Sequence, residues 1–151
     1  IERPDAQAAR DIFGIYLTRD VPIHESEIAK HGNIDAAIAF MIDAIVERTY
    51  ADSPENEFIE VTYSNGDKET MYFKDFMSGA MVENIIARAK KSAIKQELDH
   101  GQRGITLEQL MQACYAEFKE IAFMRTLVHG KSGNVEQGRS IDTTIPANPY
   151  V

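Results

Sequence analysis

Clusters of positive charge are missing from this sequence. Its 16 lysines and arginines gather no further than the pair Lys90-Lys91, against 24 acidic residues, and the net charge is −8 with a pI near 5.0. No phosphate-tracking surface for nucleic acid can be built from that distribution, whereas an acidic protein that binds soluble partners fits it. Cysteine is reduced to Cys114. Sitting among Met111, Tyr115 and Phe118, it reads as a small core residue of a reducing compartment, which makes the cytoplasm the default location. No apolar run reaches roughly 18 residues and no basic-then-apolar leader is present, so neither a membrane span nor a signal peptide is expected.

Patterns that carry chemistry are missing too. Gly130-Lys131-Ser132 has the last three letters of a phosphate-binding loop but lacks its upstream glycine, the preceding one being Gly104. The histidines His24, His31, His100 and His129 are scattered, with no pair at i, i+4 and no cysteine spacing for zinc, so no metal site is expected. Acidic residues fall mostly on solvent faces of helices, and no nucleophile, base and orienting group can be assembled. No catalytic residue is assigned. The chain opens on Ile1-Glu2-Arg3-Pro4 and not on Met, as though cut from something longer.

What is present is a 44% hydrophobic chain of 151 residues, enough for one domain with a real core. Its organising stretch runs from Ser78-Gly79-Ala80 to Lys91. Ser78 can cap the first turn of a long helix, while Gly79 and Ala80 leave the free N–H groups uncovered by bulky side chains. That start is either shaped for close contact or an ordinary cap. Val82, Ile86, Ala89 and Ala93 recur along one side, and Gly101 is the expected stop.

Upstream, Pro4-Asp5 open a helix whose Ala9, Ile12, Phe13 and Tyr16 follow helical spacing. For Ile12 and Tyr16, core packing and ligand contact both fit. A short helix should run from His24 to Lys30, ending at Gly32, and a core helix capped by Asn33 should run from Ile34 to about Tyr50. After the polar segment 51–57 the period changes to two. Phe58 to Ser64 and Asp67 to Phe73 flank Asn65-Gly66, a strong signal for a hairpin with a two-residue turn. Thr106 to Gln109 has capping-box spacing and begins a helix reaching about Lys119. Ile121 to Val128, rich in β-favouring residues, is the expected third strand, and residues 129–151 should be a mobile tail with an unusual apolar-aromatic end, Pro149-Tyr150-Val151. The fold class is therefore α+β, a mainly helical body at 1–51 and 74–120, with a small sheet from 52–73 plus 121–128.

Ile1 to Ala6 followed by Ala9-Arg10-Asp11-Ile12-Phe13 resembles the passage from the large to the small (lid) domain of an AAA ATPase, and Ser78-Gly79-Ala80 resembles that lid's second nucleotide-contacting motif. More narrowly, the stretch Phe58 to Met77, the helix Ser78 to Lys95, Arg125 to Val128, and Gly138-Arg139-Ser140-Ile141-Asp142-Thr143 resemble the actinobacterial proteasome-associated ATPases of the ARC or mycobacterial proteasomal ATPase type. The resemblance implies a β-grasp-like insert on a helical lid. It implies a homo-hexameric ring that hydrolyses Mg-bound ATP to unfold pupylated proteins and deliver them to the α-ring of the 20S core. Ile12 and Tyr16 would line the adenine, Gly79 and Ala80 would approach base and sugar, and Ala80 agrees with a branch that lacks an arginine sensor there. Pro149, Tyr150 and Val151 would dock on the core. The Walker motifs, arginine fingers and tag-binding coiled coil would lie upstream of Ile1, leaving this fragment unable to turn over ATP. Two departures are visible: the ending Pro-Tyr-Val where the family's familiar ending is Gln-Tyr-Leu, and a missing polar connection between Glu120 and Ile121, either shortened or omitted. The other reading is a free-standing adaptor that binds a protein partner through its sheet or tail.

Overall fold

A computed structural model describes residues 2–131 and 140–143. Helix α1 (Ala6–Tyr16) is followed by α2 (Glu25–His31), α3 (Ile34–Tyr50), the strands β1 (Glu57–Thr62) and β2 (Lys68–Tyr72), then α4 (Gly79–His100), α5 (Leu107–Lys131) and β3 (Ser140–Thr143). The α+β class and its helical dominance are as the sequence predicts.

Each helix starts where a side chain can take an orphan N–H of its first turn. Asp5 accepts from Ala8 N at 2.8 Å, Asn33 from Ala36 N at 2.8 Å and Ser78 from Met81 N at 3.2 Å. The ring of His24 does the same for Ser26 N at 3.0 Å. At α5 the predicted capping box is present in both directions, with Gln109 N donating to Thr106 Oγ1 at 3.1 Å and Thr106 N to Gln109 Oε1 at 3.0 Å. A distant carboxylate joins it: Glu27 of α2, almost fully buried, accepts from Leu107 N at 3.2 Å.

Helix α4 packs on α5 and α1, and α3 packs on α1, α2 and α5. Their shared core contains Phe13 and Leu17 of α1 and its exit, Met41 and Ile45 of α3, Ile85 and Ile86 of α4, and Leu110 and Phe118 of α5. The sheet, in the order β2-β1-β3, is antiparallel throughout. Four aromatic rings fasten it to the helices. Phe58 of β1 meets Phe73, Phe76 and Phe118 edge-on at 5.0–5.8 Å, and Phe73 stacks on Phe118 at 4.3 Å. Phe73 thus belongs to a 3-10 turn after β2 and to the core, and not to the strand expected to reach it.

Three further expectations are corrected. The segment 121–128 is not a strand, because α5 continues through it to Lys131. Ala122 is fully buried one turn beyond Phe118 and two beyond Cys114, so the helical stripe runs on, and each added residue gains a backbone bond without a new nucleation cost. The third strand comes from Ser140–Thr143, in the stretch expected to be tail, and pairs Glu60 with Asp142 and Thr62 with Ser140. The hairpin turn is also one residue longer than a two-residue turn. Gly66 N donates to Tyr63 O at 2.9 Å and Tyr63 N to Asp67 O at 2.8 Å, closing a three-residue loop around Ser64, Asn65 and Gly66. Asn65 holds it through Oδ1, which accepts from Asp67 N at 3.0 Å.

Cys114 is buried as expected, and burial pushes its thiol up to about 11, with Thr49 Oγ1 3.6 Å from the sulfur. Burial likewise pushes the Tyr50 phenol up to about 12, aided by nearby Asp5. Both folded values lie above those of the unfolded chain, so the stability these groups contribute is constant at neutral pH. It is lost as pH rises, first for Cys114 and then for Tyr50, over roughly pH 9 to 12. The urea midpoint should fall across that window, and Cys114→Ala and Tyr50→Phe should each flatten part of the decline; an unchanged slope in both would contradict the assignment.

Candidate functional site

The predicted contact residues sit on two helices that pack together. On α1, Ala9 and Phe13 are turned fully inward, which leaves Ile12 and Tyr16, one turn apart, half-buried along the flank and packed against the core edge. On α4, the inward stripe is Met81, Val82, Ile85, Ile86, Ala89 and Ala93. Its start is open. Ala80 is exposed, and a Cβ built on Gly79 would meet nothing within 4 Å. Ser78 occupies only the N–H of Met81, and helical geometry gives the N–H groups of Gly79 and Ala80 no acceptor within the helix. The first turn of α4 also has no acidic side chain, so the positive end of its dipole is left for an incoming polar or anionic group.

Helix packing therefore brings the pair Ile12 and Tyr16 onto one helix face and the pair Gly79 and Ala80 onto the start of its neighbour. Pro149, Tyr150 and Val151 lie outside the described residues.

Clefts lie elsewhere. One of about 710 Å³ separates α4 from α5 and is lined by Asn84, Arg88, Lys91, Glu117 and Glu120. Glu117 is buried, and its carboxylate accepts from Arg88 Nε at 2.8 Å and Asn84 Nδ2 at 3.0 Å, while Arg88 also reaches Glu120. With its buried carboxylate ion-paired and hydrogen-bonded across the two helices, Glu117 makes this cleft a helix-to-helix tie. Among the described residues no group of His, Cys, Asp and Glu could hold a metal ion, and no helix is long and apolar enough to cross a membrane.

Sequence reasoning marks Ile1 to Ala6 as the entry into this region but assigns no contact to Arg3 or Tyr50. Arg3 Nη1 donates to Met77 O at 3.3 Å and the Tyr50 hydroxyl donates to Pro4 O at 2.6 Å. Only the i to i+4 position of Tyr50 at the end of a stripe, and Arg3 just ahead of a helix-opening proline, could have drawn notice.

The profile described as "ARC, AAA+ ATPase lid domain" matches residues 4–129. The chain belongs to the ARC AAA+ ATPase lid family. It is 49% identical, over its whole length, to the Proteasome-associated ATPase of Acidothermus cellulolyticus, 48% to that of Streptomyces avermitilis and 49% to that of Catenulispora acidiphila. This lid spans only about 30% of the length of those relatives. The alignments run over 175 positions for 151 residues, so the relatives carry residues that this sequence lacks. At Glu120-Ile121, where such a gap was expected, α5 passes without interruption.

Proposed function

We propose that this lid is the C-terminal part of a proteasome-associated AAA+ ATPase. In the intact protein, Ile12 and Tyr16 line the adenine of Mg-bound ATP, and Gly79 and Ala80 close on base and sugar. The open, uncharged first turn of α4 in a chain of the AAA+ lid family carries this reading. Small side chains there let a planar base approach the backbone, and the unused N–H groups can donate to it. The half-buried flank of Tyr16 supplies an aromatic face one helix away.

The intact protein is a homo-hexamer in the cytoplasm that unfolds pupylated proteins and passes them to the 20S core. Pro149, Tyr150 and Val151 dock on the core's α-ring, an aromatic side chain filling an apolar slot while the terminal carboxylate meets a cation. One such contact is weak, but repetition around a ring raises its effective strength. The names of the relatives support the partnership with a proteasome. Residues 1–51 and 74–120 serve as the lid body, and the sheet is an insert upon it. This part alone would not hydrolyse ATP.

Two lesions in the full-length protein separate these tasks. Tyr16→Ala should weaken binding of a fluorescent ATP analogue by about tenfold, the scale of one lost aromatic contact. Removal of Tyr150 and Val151 should abolish stimulation of the core particle and spare ATP hydrolysis. Unchanged nucleotide affinity in the first would remove the adenine assignment; loss of both activities, or of neither, in the second would remove the docking assignment.

A further inference from the structure

Three consecutive residues, 3 to 5, tie the incoming chain to three separate elements. Arg3 donates to the carbonyl of Met77 at 3.3 Å, and its guanidinium stands 5.9 Å from the centroid of the Phe76 ring. Pro4 offers its carbonyl to the Tyr50 hydroxyl at the end of α3, 2.6 Å away. Asp5 caps α1 through Ala8 N at 2.8 Å. Arg3 is exposed, so its hold on Met77 fills no space in the core, yet Met77 itself is fully buried and stands two residues ahead of Gly79. The segment is stiff as well. Proline fixes its own φ, and the residue before it is confined to extended angles.

We propose that Arg3 and Tyr50 are positioning residues, a latch that fixes the direction in which the chain enters the lid relative to the Gly79-Ala80 turn. A charge-assisted bond on one side and a hydroxyl bond on the other leave the segment no freedom to pivot after Arg3. Any articulation between the lid and an upstream domain then takes place ahead of Arg3, and the lid with its helix start moves as one body. The inference rests on the nucleotide-lid reading, because the latch matters to activity only if the start of α4 forms part of a cleft with that domain.

The test uses the full-length protein with Ala29→Cys on α2 carrying one dye and the upstream domain carrying the other; buried Cys114 is not available for labelling. The variants are Arg3→Ala and Tyr50→Phe, singly and together, with Tyr16→Ala as reference. The latch predicts a broadened distance distribution between the dyes, a three- to tenfold weaker affinity for a fluorescent ATP analogue, roughly the span of one or two lost hydrogen bonds, and an unchanged melting midpoint for Arg3→Ala. A distribution as narrow as the parent's in the double variant overturns the latch, whatever the affinity does. A fall in melting midpoint with Arg3→Ala overturns it too, since Arg3 would then be part of the core's support. If instead Tyr16→Ala leaves affinity intact, it is the nucleotide reading that fails, a result distinct from either outcome for Arg3.

Discussion

Gly104→Val is expected to cost the fold about 4 kcal/mol or more, the range reserved for backbone clashes that nothing flexible can relieve. Gly104 sits at φ +105°, and a Cβ there would lie 2.5 Å from His24 N and from the carbonyl carbon of Ile23, and 2.7 Å from the Ile23 oxygen. All three are backbone atoms. They cannot retreat, because the same chains are locked by a parallel bridge in which His24 N donates to Ile105 O at 3.0 Å and Ile105 N to Pro22 O at 2.9 Å. Ile23 and Ile105 are both buried beside it, and His24 goes on to cap α2. A side chain at 104 would therefore push apart the α1–α2 connection and the α4–α5 connection together. Gly101 is the control. It too has a positive φ, +72°, but open space around its Cβ position, so Gly101→Ala should cost only about 1–2 kcal/mol of left-handed strain. Chemical denaturation of both variants checks the contrast; similar midpoints would show that the bridge can yield.

That bridge illustrates what the sequence could and could not show. Gln102-Arg103-Gly104 reads as a loop, and it is one, but nothing local reveals that it lies against a segment 80 residues away. Helices were legible wherever their signals are local. Asp5, Asn33, Ser78 and Thr106 mark their starts, and the apolar stripes of α3 and α4 mark their inward faces. The hairpin was legible from Asn65-Gly66, though side-chain hydrogen bonds from Asn65 decide for the longer loop. The stretch 121–128 misled because Ile, Phe, Thr, Leu and Val score as strand formers one by one. What decides is register: Cys114, Phe118 and Ala122 keep a helical stripe facing the core, and tertiary burial overrides intrinsic preference. The true third strand, four residues near the end of the chain, is too short to announce itself.

The candidate site was legible in part for the same reason. Ile12 with Tyr16, and Gly79 with Ala80, are pairs defined by spacing within one helix. That the two helices pack against each other is a property of the core, and the Arg3 and Tyr50 contacts are properties of the path the chain takes around it. The Arg3, Tyr50 and Glu27 contacts share one trait: a side chain from one segment meets a backbone group of another. Such ties align the ends of helices, and here the helix end in question is the one proposed to meet nucleotide.

Asn56 makes a shorter-range tie of the same kind, side chain to backbone, and is the second place where a single change should be severe. It has no exposed surface. Its amide nitrogen donates to the carbonyls of Arg48 and Ala51, each at 2.7 Å, with Thr49 O at 3.4 Å, and its oxygen accepts from the Arg48 guanidinium. Those carbonyls are the unsatisfied end of α3, so one side chain serves as that helix's C-terminal cap and joins it to the start of β1. Asn56→Ala leaves the Arg48 and Ala51 carbonyls without this donor and should cost about 2–4 kcal/mol. Asn56→Asp keeps the shape and reverses the electrostatics, pointing an anion at carbonyl oxygens that need a donor, so at pH 8 it should be at least as damaging despite gaining charge attraction to Arg48. Below about pH 5 the aspartic acid can regain a proton and donate once, so its deficit should shrink while that of Asn56→Ala does not. Urea denaturation of the two variants at pH 4 and pH 8 reads this directly. A deficit for Asn56→Asp that is the same at both values would mean that Arg48, and not the α3 carbonyls, dominates the site.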